Sequence, residues 1–119
     1  MLKKRMLNSQ KKGKNYELKI AKDLNKAFET NVRRTPCSGG LGFKGDIIDL
    51  SGVLKDYHFE CKNQESLNVW KAIKQAKRDC PIQKNWVLVF SRNFENDDYC
   101  TMRFETFKNL LLTILELQN

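Results

Sequence analysis

Trp86-Val87-Leu88-Val89-Phe90 is the stretch that most restricts the fold. Five consecutive apolar, β-prone residues leave water no side of a strand, so both faces must be covered, as they are inside a sheet with helices on each side. The chain supplies such helices. From Asn15 to Phe28, Ile20, Ala21, Leu24, Ala27 and Phe28 recur at helical spacing with no proline or glycine to interrupt them. Ser66 can cap a second helix running to about Arg78, with Val69, Trp70, Ile73 and Ala76 as its core stripe. In a C-terminal helix Phe104, Phe107, Leu110, Leu111, Ile114 and Leu115 form an apolar face wider than a small core needs, which points to a dimer interface.

The remaining strands carry acids. In Tyr57-His58-Phe59-Glu60-Cys61-Lys62 the side chains alternate, so His58, Glu60 and Lys62 share one face and Tyr57, Phe59 and Cys61 the other. Asp46 to Leu50 reads as a second strand, joined to the first through Ser51 to Lys55. If Leu50 sits opposite Asp56, antiparallel counting brings Asp46 opposite Glu60, with Cβ atoms roughly 5 Å apart. Two carboxylates that close repel unless a cation lies between them, so the pair is a candidate divalent-metal site. The same residues taken alone also fit an ordinary charged hairpin. Glu17 falls on the buried stripe of the first helix, where a carboxylate is costly unless paired or metal-bound. A first-turn glutamate favoured by the helix dipole is the alternative. Val32 to Thr35 and Tyr99 to Met102 complete the strands.

At 119 residues there is room for one domain and one core. The net charge of +8 points to a polyanionic partner, nucleic acid first of all. Lys3, Lys4, Arg5, Lys11, Lys12 and Lys14 occur in the first fourteen residues without an acid, predicting a mobile basic arm over 1–14 ahead of a single domain over 15–119. Lys11, Lys12 and Lys14 would add salt-dependent phosphate contacts. Arg33, Arg34, Ser38 and Lys44, around a glycine-rich loop without the Gly-Lys-Ser/Thr ending of a P-loop, are further phosphate candidates, as is Lys71. Cys37, Cys61, Cys80 and Cys100 form no Cys-x-x-Cys pair and His58 is the only histidine, so a zinc site is not expected and the thiols read as reduced and mostly buried. With no secretory apolar core and no run near the ~18 residues that cross a bilayer, the expected location is cytoplasmic, with no membrane partner.

Gly13-x-x-x-Glu17, Asp46 and Glu60-x-Lys62, in this order on helix, strand and strand, resemble the signature of the PD-(D/E)xK nuclease superfamily, over Gly13 to Phe90. Within it the chain looks most like the small Holliday-junction resolvases of archaeal and phage type, on the strength of Arg33, Arg34, Ser38, Gly39 and Gln75. The departure is Gly45, where the family name expects proline. The resemblance implies an α/β, restriction-endonuclease-like core (αβββαβ), a mixed central sheet flanked by helices. It implies that Asp46 and Glu60 bind Mg2+, for which Mn2+ can substitute, with Glu17 a direct or water-mediated ligand. Cys61, facing the other way, would reach the metal only through its main-chain carbonyl. Lys62 would position the attacking water, Ser38 would touch the scissile region, Gln75 would orient a ligand or water, and Arg33 and Arg34 would hold phosphate. The implied enzyme is a magnesium-dependent endonuclease, a homodimer cutting four-way DNA junctions. Other PD-(D/E)xK endonucleases of repair, flap or restriction type, and a non-catalytic basic DNA-binding protein, are the alternatives.

Overall fold

The structure is a computed structural model that describes residues 2–35 and 46–119, with side chains from Ser9 onward. Ser38 and Lys44, together with Cys37, Gly39 and Gly45, lie outside the described residues, as do the side chains of Lys3, Lys4 and Arg5.

The first helix, α1, spans Leu2–Phe28. It therefore absorbs the segment expected to be a mobile arm. The reason is composition: residues 2–14 contain no proline, and leucine, lysine, methionine and glutamine favour helix, so one glycine at a cost of about 1 kcal/mol does not break it. A Cβ added at Gly13 would meet nothing within 4 Å. Gly13→Ala is accordingly expected to raise stability by roughly 0.5–1 kcal/mol in urea denaturation.

Five strands follow the predicted chain order: β1 (Val32–Arg34), β2 (Ile47–Asp49), β3 (Tyr57–Asn63), then, after helix α2 (Val69–Asp79), β4 (Asn85–Ser91) and β5 (Tyr99–Thr101). They form one sheet in the order β1-β2-β3-β4-β5, antiparallel throughout except for the parallel pair β3 and β4. A parallel pair needs a crossover, and α2 provides it. The mixed sheet flanked by helices is the predicted fold class.

Strand alternation divides the core in two. Phe59, Cys61 and Val87 pack with Tyr16, Ile20 and Ala21 of α1, and with Val32 and Ile47. Trp86 and Leu88 face the other way, onto Ala72 and Ala76 of α2. The apolar run at 86–90 is thus sandwiched as its composition requires. Tyr16, buried although its hydroxyl is polar, donates to Asp98 Oδ1 at 2.9 Å, and Lys19 contacts the same carboxylate, which ties α1 to the segment before β5.

Four expectations need correction. Asn68, not Ser66, caps α2: its Oδ1 accepts from the Lys71 N–H at 3.0 Å, two residues later than expected. Trp70 is 82% exposed, not core, because the buried side of α2 is the line through Ala72 and Ala76. Ala27 and Phe28 are exposed as well, and Tyr16 joins Ile20 and Ala21 on the buried stripe of α1. Of the described cysteines only Cys61 is buried; Cys80 is half-buried and Cys100 exposed.

The last helix, α3, spans Phe104–Gln118 and buries only Thr106, whose hydroxyl donates to Asn85 Oδ1 at 3.4 Å. Phe104, Phe107, Leu111, Leu112, Ile114, Leu115 and Leu117 are all exposed. No helix among the described residues is long and apolar enough to cross a membrane.

Candidate active site

The site begins with a turn. Asp49, at the end of β2, accepts from the main-chain N–H groups of Asn31, Ser51 and Leu54 and from the Ser51 hydroxyl. Partial burial works to raise its pKa, but these donors win and hold the carboxyl down to about 2. An ionised Asp49 thus pins the connection that feeds β3, and the register follows: Ile47 pairs with Phe59. Counting one residue outward puts Asp46 across from Glu60, as the sequence predicts.

Asp46 is fixed from both sides. Its N–H donates to the Phe59 carbonyl at 3.1 Å, and its Oδ2 accepts from the Cys61 N–H at 2.7 Å. Burial, then the charge of Glu60, push its carboxyl up to about 7, against the pull of the Cys61 N–H. Glu60 is 1% exposed and lies within hydrogen-bonding contact of Asp46. Its Oε1 is 3.2 Å from His58 Nε2, also buried. Sequence reasoning placed His58 on this face without giving it a role; the signal was its position two residues before Glu60 on one strand.

Glu17 reaches the same place from α1. Its Oε2 accepts from Arg34 Nε at 2.7 Å, so the buried-stripe carboxylate has the partner its position demands. Asn25 sets this pair up by bonding both polar groups of Val32, N–H to Oδ1 at 2.7 Å and carbonyl to Nδ2 at 3.1 Å, thereby clamping β1 against the end of α1. Glu17, Asp46, Cys61 and Lys62 line one cleft of about 440 Å3, closed by Ser9, Lys12, Gly13, Asn63, Gln64 and Glu65. Lys62 is half-buried and makes no ion pair among the described residues. It also borders a hollow of about 270 Å3 with Lys71 and Gln75, so both α2 candidates stand beside the lysine.

The basic candidates divide. Lys12 lines the cleft, with Nζ 3.8 Å from Glu65 Oε1. Lys11 shares with it an adjoining hollow of about 420 Å3 that includes Lys19 and Asn63. Arg33 is exposed, its Nε donating to Asn31 Oδ1, and Lys14 is exposed; neither lines these hollows. A larger hollow of about 490 Å3, between the start of α2 and strands β4 and β5, contains none of the catalytic candidates.

Among the described residues no three of His, Cys, Asp and Glu close on one point as a ready cage for a metal. Magnesium asks for less, binding through one or two carboxylates and keeping several waters. The donor set fits that demand: Asp46, already resisting ionisation, lines the cleft with Glu17, and Glu60 lies buried directly behind Asp46. The buried Oδ1 of Asn63, on the cleft wall, has no hydrogen-bond partner among the described residues and suits a water of a hydrated ion. The Cys61 thiol is packed in the core on the far face of the strand, and burial pushes its pKa up, so its main chain rather than its thiol suits the cleft.

A mixed five-stranded sheet with two acids and an acid-x-Lys strand meeting at a cleft beside the first helix defines a nuclease of the PD-(D/E)xK class. Residues 8–116 match the profile of the family described as "Phage putative PDDEXK endonuclease", and the chain belongs to that family. Searches of the curated proteins and of the solved structures returned no match.

Proposed function

We propose that the protein is a metal-dependent, structure-selective DNA endonuclease, a resolvase that cuts four-way junctions as a homodimer and acts in DNA recombination in the cytoplasm. The observation that carries the catalytic part is the Asp46 and Glu60 pair, placed across β2 and β3 with Lys62 on the same strand face. Basic charge, +8 over 119 residues, supplies the attraction for DNA. Among the described residues no element beyond the sheet and its helices is left over to read a major groove, which favours recognition of DNA shape.

In this reading Asp46 and Glu60 hold Mg2+ or Mn2+, Glu17 joins them through water, and the Cys61 carbonyl completes the protein's share. The metal, when bound, supplies positive charge to the phosphoryl oxygens and lowers the pKa of a water it carries. Lys62 brings a compact ammonium to the scissile phosphate and orients the attacking water. Gln75 hydrogen-bonds that water or a phosphate oxygen from the adjoining hollow, and Ser38 contacts the scissile region. Arg34, braced by Glu17, takes flanking phosphates with Lys11, Lys12 and Lys71, and more distantly with Arg33 and Lys14; Lys44 is a further phosphate candidate. The exposed apolar side of α3 receives a second copy, which would oppose two sites on one junction.

The test compares magnesium-dependent cleavage of a labelled four-way junction with duplex, single-stranded and flap DNA of matching sequence. Paired symmetric nicks confined to the junction are expected. Cleavage of flap or linear DNA instead would retain the site and discard the junction, and binding without cleavage in either metal would favour a DNA-binding protein. Sedimentation at micromolar concentration is expected to give a dimer; a monomer there would remove the α3 interface.

A further inference from the structure

The α2 tryptophan finds no place in the catalytic account. Trp70 is 82% exposed on the first turn of α2, an unfavourable position for the largest apolar side chain in a helix that buries Ala72 and Ala76 instead. At 100° per residue Lys74 and Lys77 fall on the same outer face as Trp70, while Lys71 and Gln75 fall on the flank beside Lys62. The sequence of α2 has no acid before Asp79, its last residue, which is engaged by Arg78 at 3.3 Å. The exposed indole therefore stands among cations. Its apolar neighbour Val69, 37% exposed, lines the hollow between α2 and strands β4 and β5 and is off the helix face that carries Lys74 and Lys77. A flat, exposed π-face that shares its helix face with two lysines is complementary to one ligand chemistry, a nucleobase with its phosphates. In a paired duplex both faces of each base are already stacked, so the bases available to Trp70 are unpaired ones.

We propose that the outer face of α2 is a stacking platform for an unpaired base, with Trp70 against the ring and Lys74 and Lys77 on neighbouring phosphates. The substrate then carries a single-stranded or splayed nucleotide one helix face away from Lys62. This rests on the nuclease reading of the Lys62 cleft and deepens it: in a four-way junction the base offered to Trp70 would be one splayed at the branch point, near the cut.

The experiment measures affinity without divalent metal, by anisotropy of a labelled, fully paired duplex and of the same duplex with a single-stranded tail. Trp70→Ala is expected to weaken binding of the tailed probe by roughly 5- to 100-fold while leaving the paired probe nearly unchanged, and Trp70→Phe is expected to restore most of the loss. The other tryptophan, Trp86, is buried, so quenching of wild-type emission on tailed DNA reports Trp70. Unchanged Trp86 emission in Trp70→Ala confirms that the variant is folded. Equal weakening of both probes, or of neither, would overturn the platform. Because affinity is read without cleavage, the two readings fail separately. Tailed DNA held through Trp70, with neither it nor a four-way junction cut in magnesium or manganese, retires the nuclease, whereas junction cleavage with an indifferent Trp70 retires the platform.

Discussion

Glu60→Gln is expected to lower metal-dependent cleavage by roughly a thousandfold or more, the loss of several kcal/mol of transition-state stabilisation, while DNA affinity in the absence of metal stays within about twofold of wild type. Glutamine keeps the volume of a side chain that is 1% exposed and can still bond His58, so the fold survives where alanine would leave a cavity. Only the second negative charge is removed. Single-turnover kinetics with saturating enzyme, beside anisotropy on the same DNA, separate the two quantities. Cleavage within tenfold of wild type would assign Glu60 to structure alone.

The second large effect is on stability and runs through Asp46. Its folded carboxyl is pushed up to about 7 by burial and by Glu60, whereas an unfolded aspartate titrates near 3.9. Between those values the folded chain keeps a proton the unfolded chain has lost. The contribution is fully present below about pH 4 and disappears as pH rises through about 7, so the metal-free protein is expected to be less stable at about pH 8 than at about pH 5. Asp46→Asn removes the ionising group and is expected to be more stable than wild type by about 2–4 kcal/mol at the higher pH and by a smaller margin, about 1–1.5 kcal/mol, at the lower. Urea denaturation of both proteins at the two pH values, with metal chelated, measures this directly. A wild-type advantage at high pH would mean that Asp46 is stabilised as the carboxylate.

Most of this site was legible because β-strand alternation and antiparallel counting are rigid rules. The register that sets Asp46 against Glu60 follows from the connection length between Leu50 and Asp56, and Ile47 does pair with Phe59. The five-residue apolar run forced helices on both faces, and α1 and α2 occupy them. Helix faces were less legible. Apolar identity marked Trp70 as core, but two alanines suffice to seat α2 against Leu88, and an amphipathic pattern does not say which of two overlapping stripes is buried. The length of α1 was missed because charge was read as disorder, although lysine is a good helix former. The Glu17 and Arg34 pair joins residues seventeen apart on two elements, a contact that burial of Glu17 demands without naming its partner. A lone histidine completes no zinc set, and the strand pattern does not say that the place of His58 is behind a carboxylate.

The central claim is that Asp46 and Glu60 together hold the divalent ion that works on DNA. It is tested most directly by titrating Mn2+, read by electron paramagnetic resonance, into the complex of the protein with uncleavable phosphorothioate-linked DNA, for wild type and Asp46→Asn. The account predicts saturable binding to wild type, weakened by about tenfold or more in the variant with DNA still bound. Equal Mn2+ binding by the two proteins would contradict it and place the ion elsewhere.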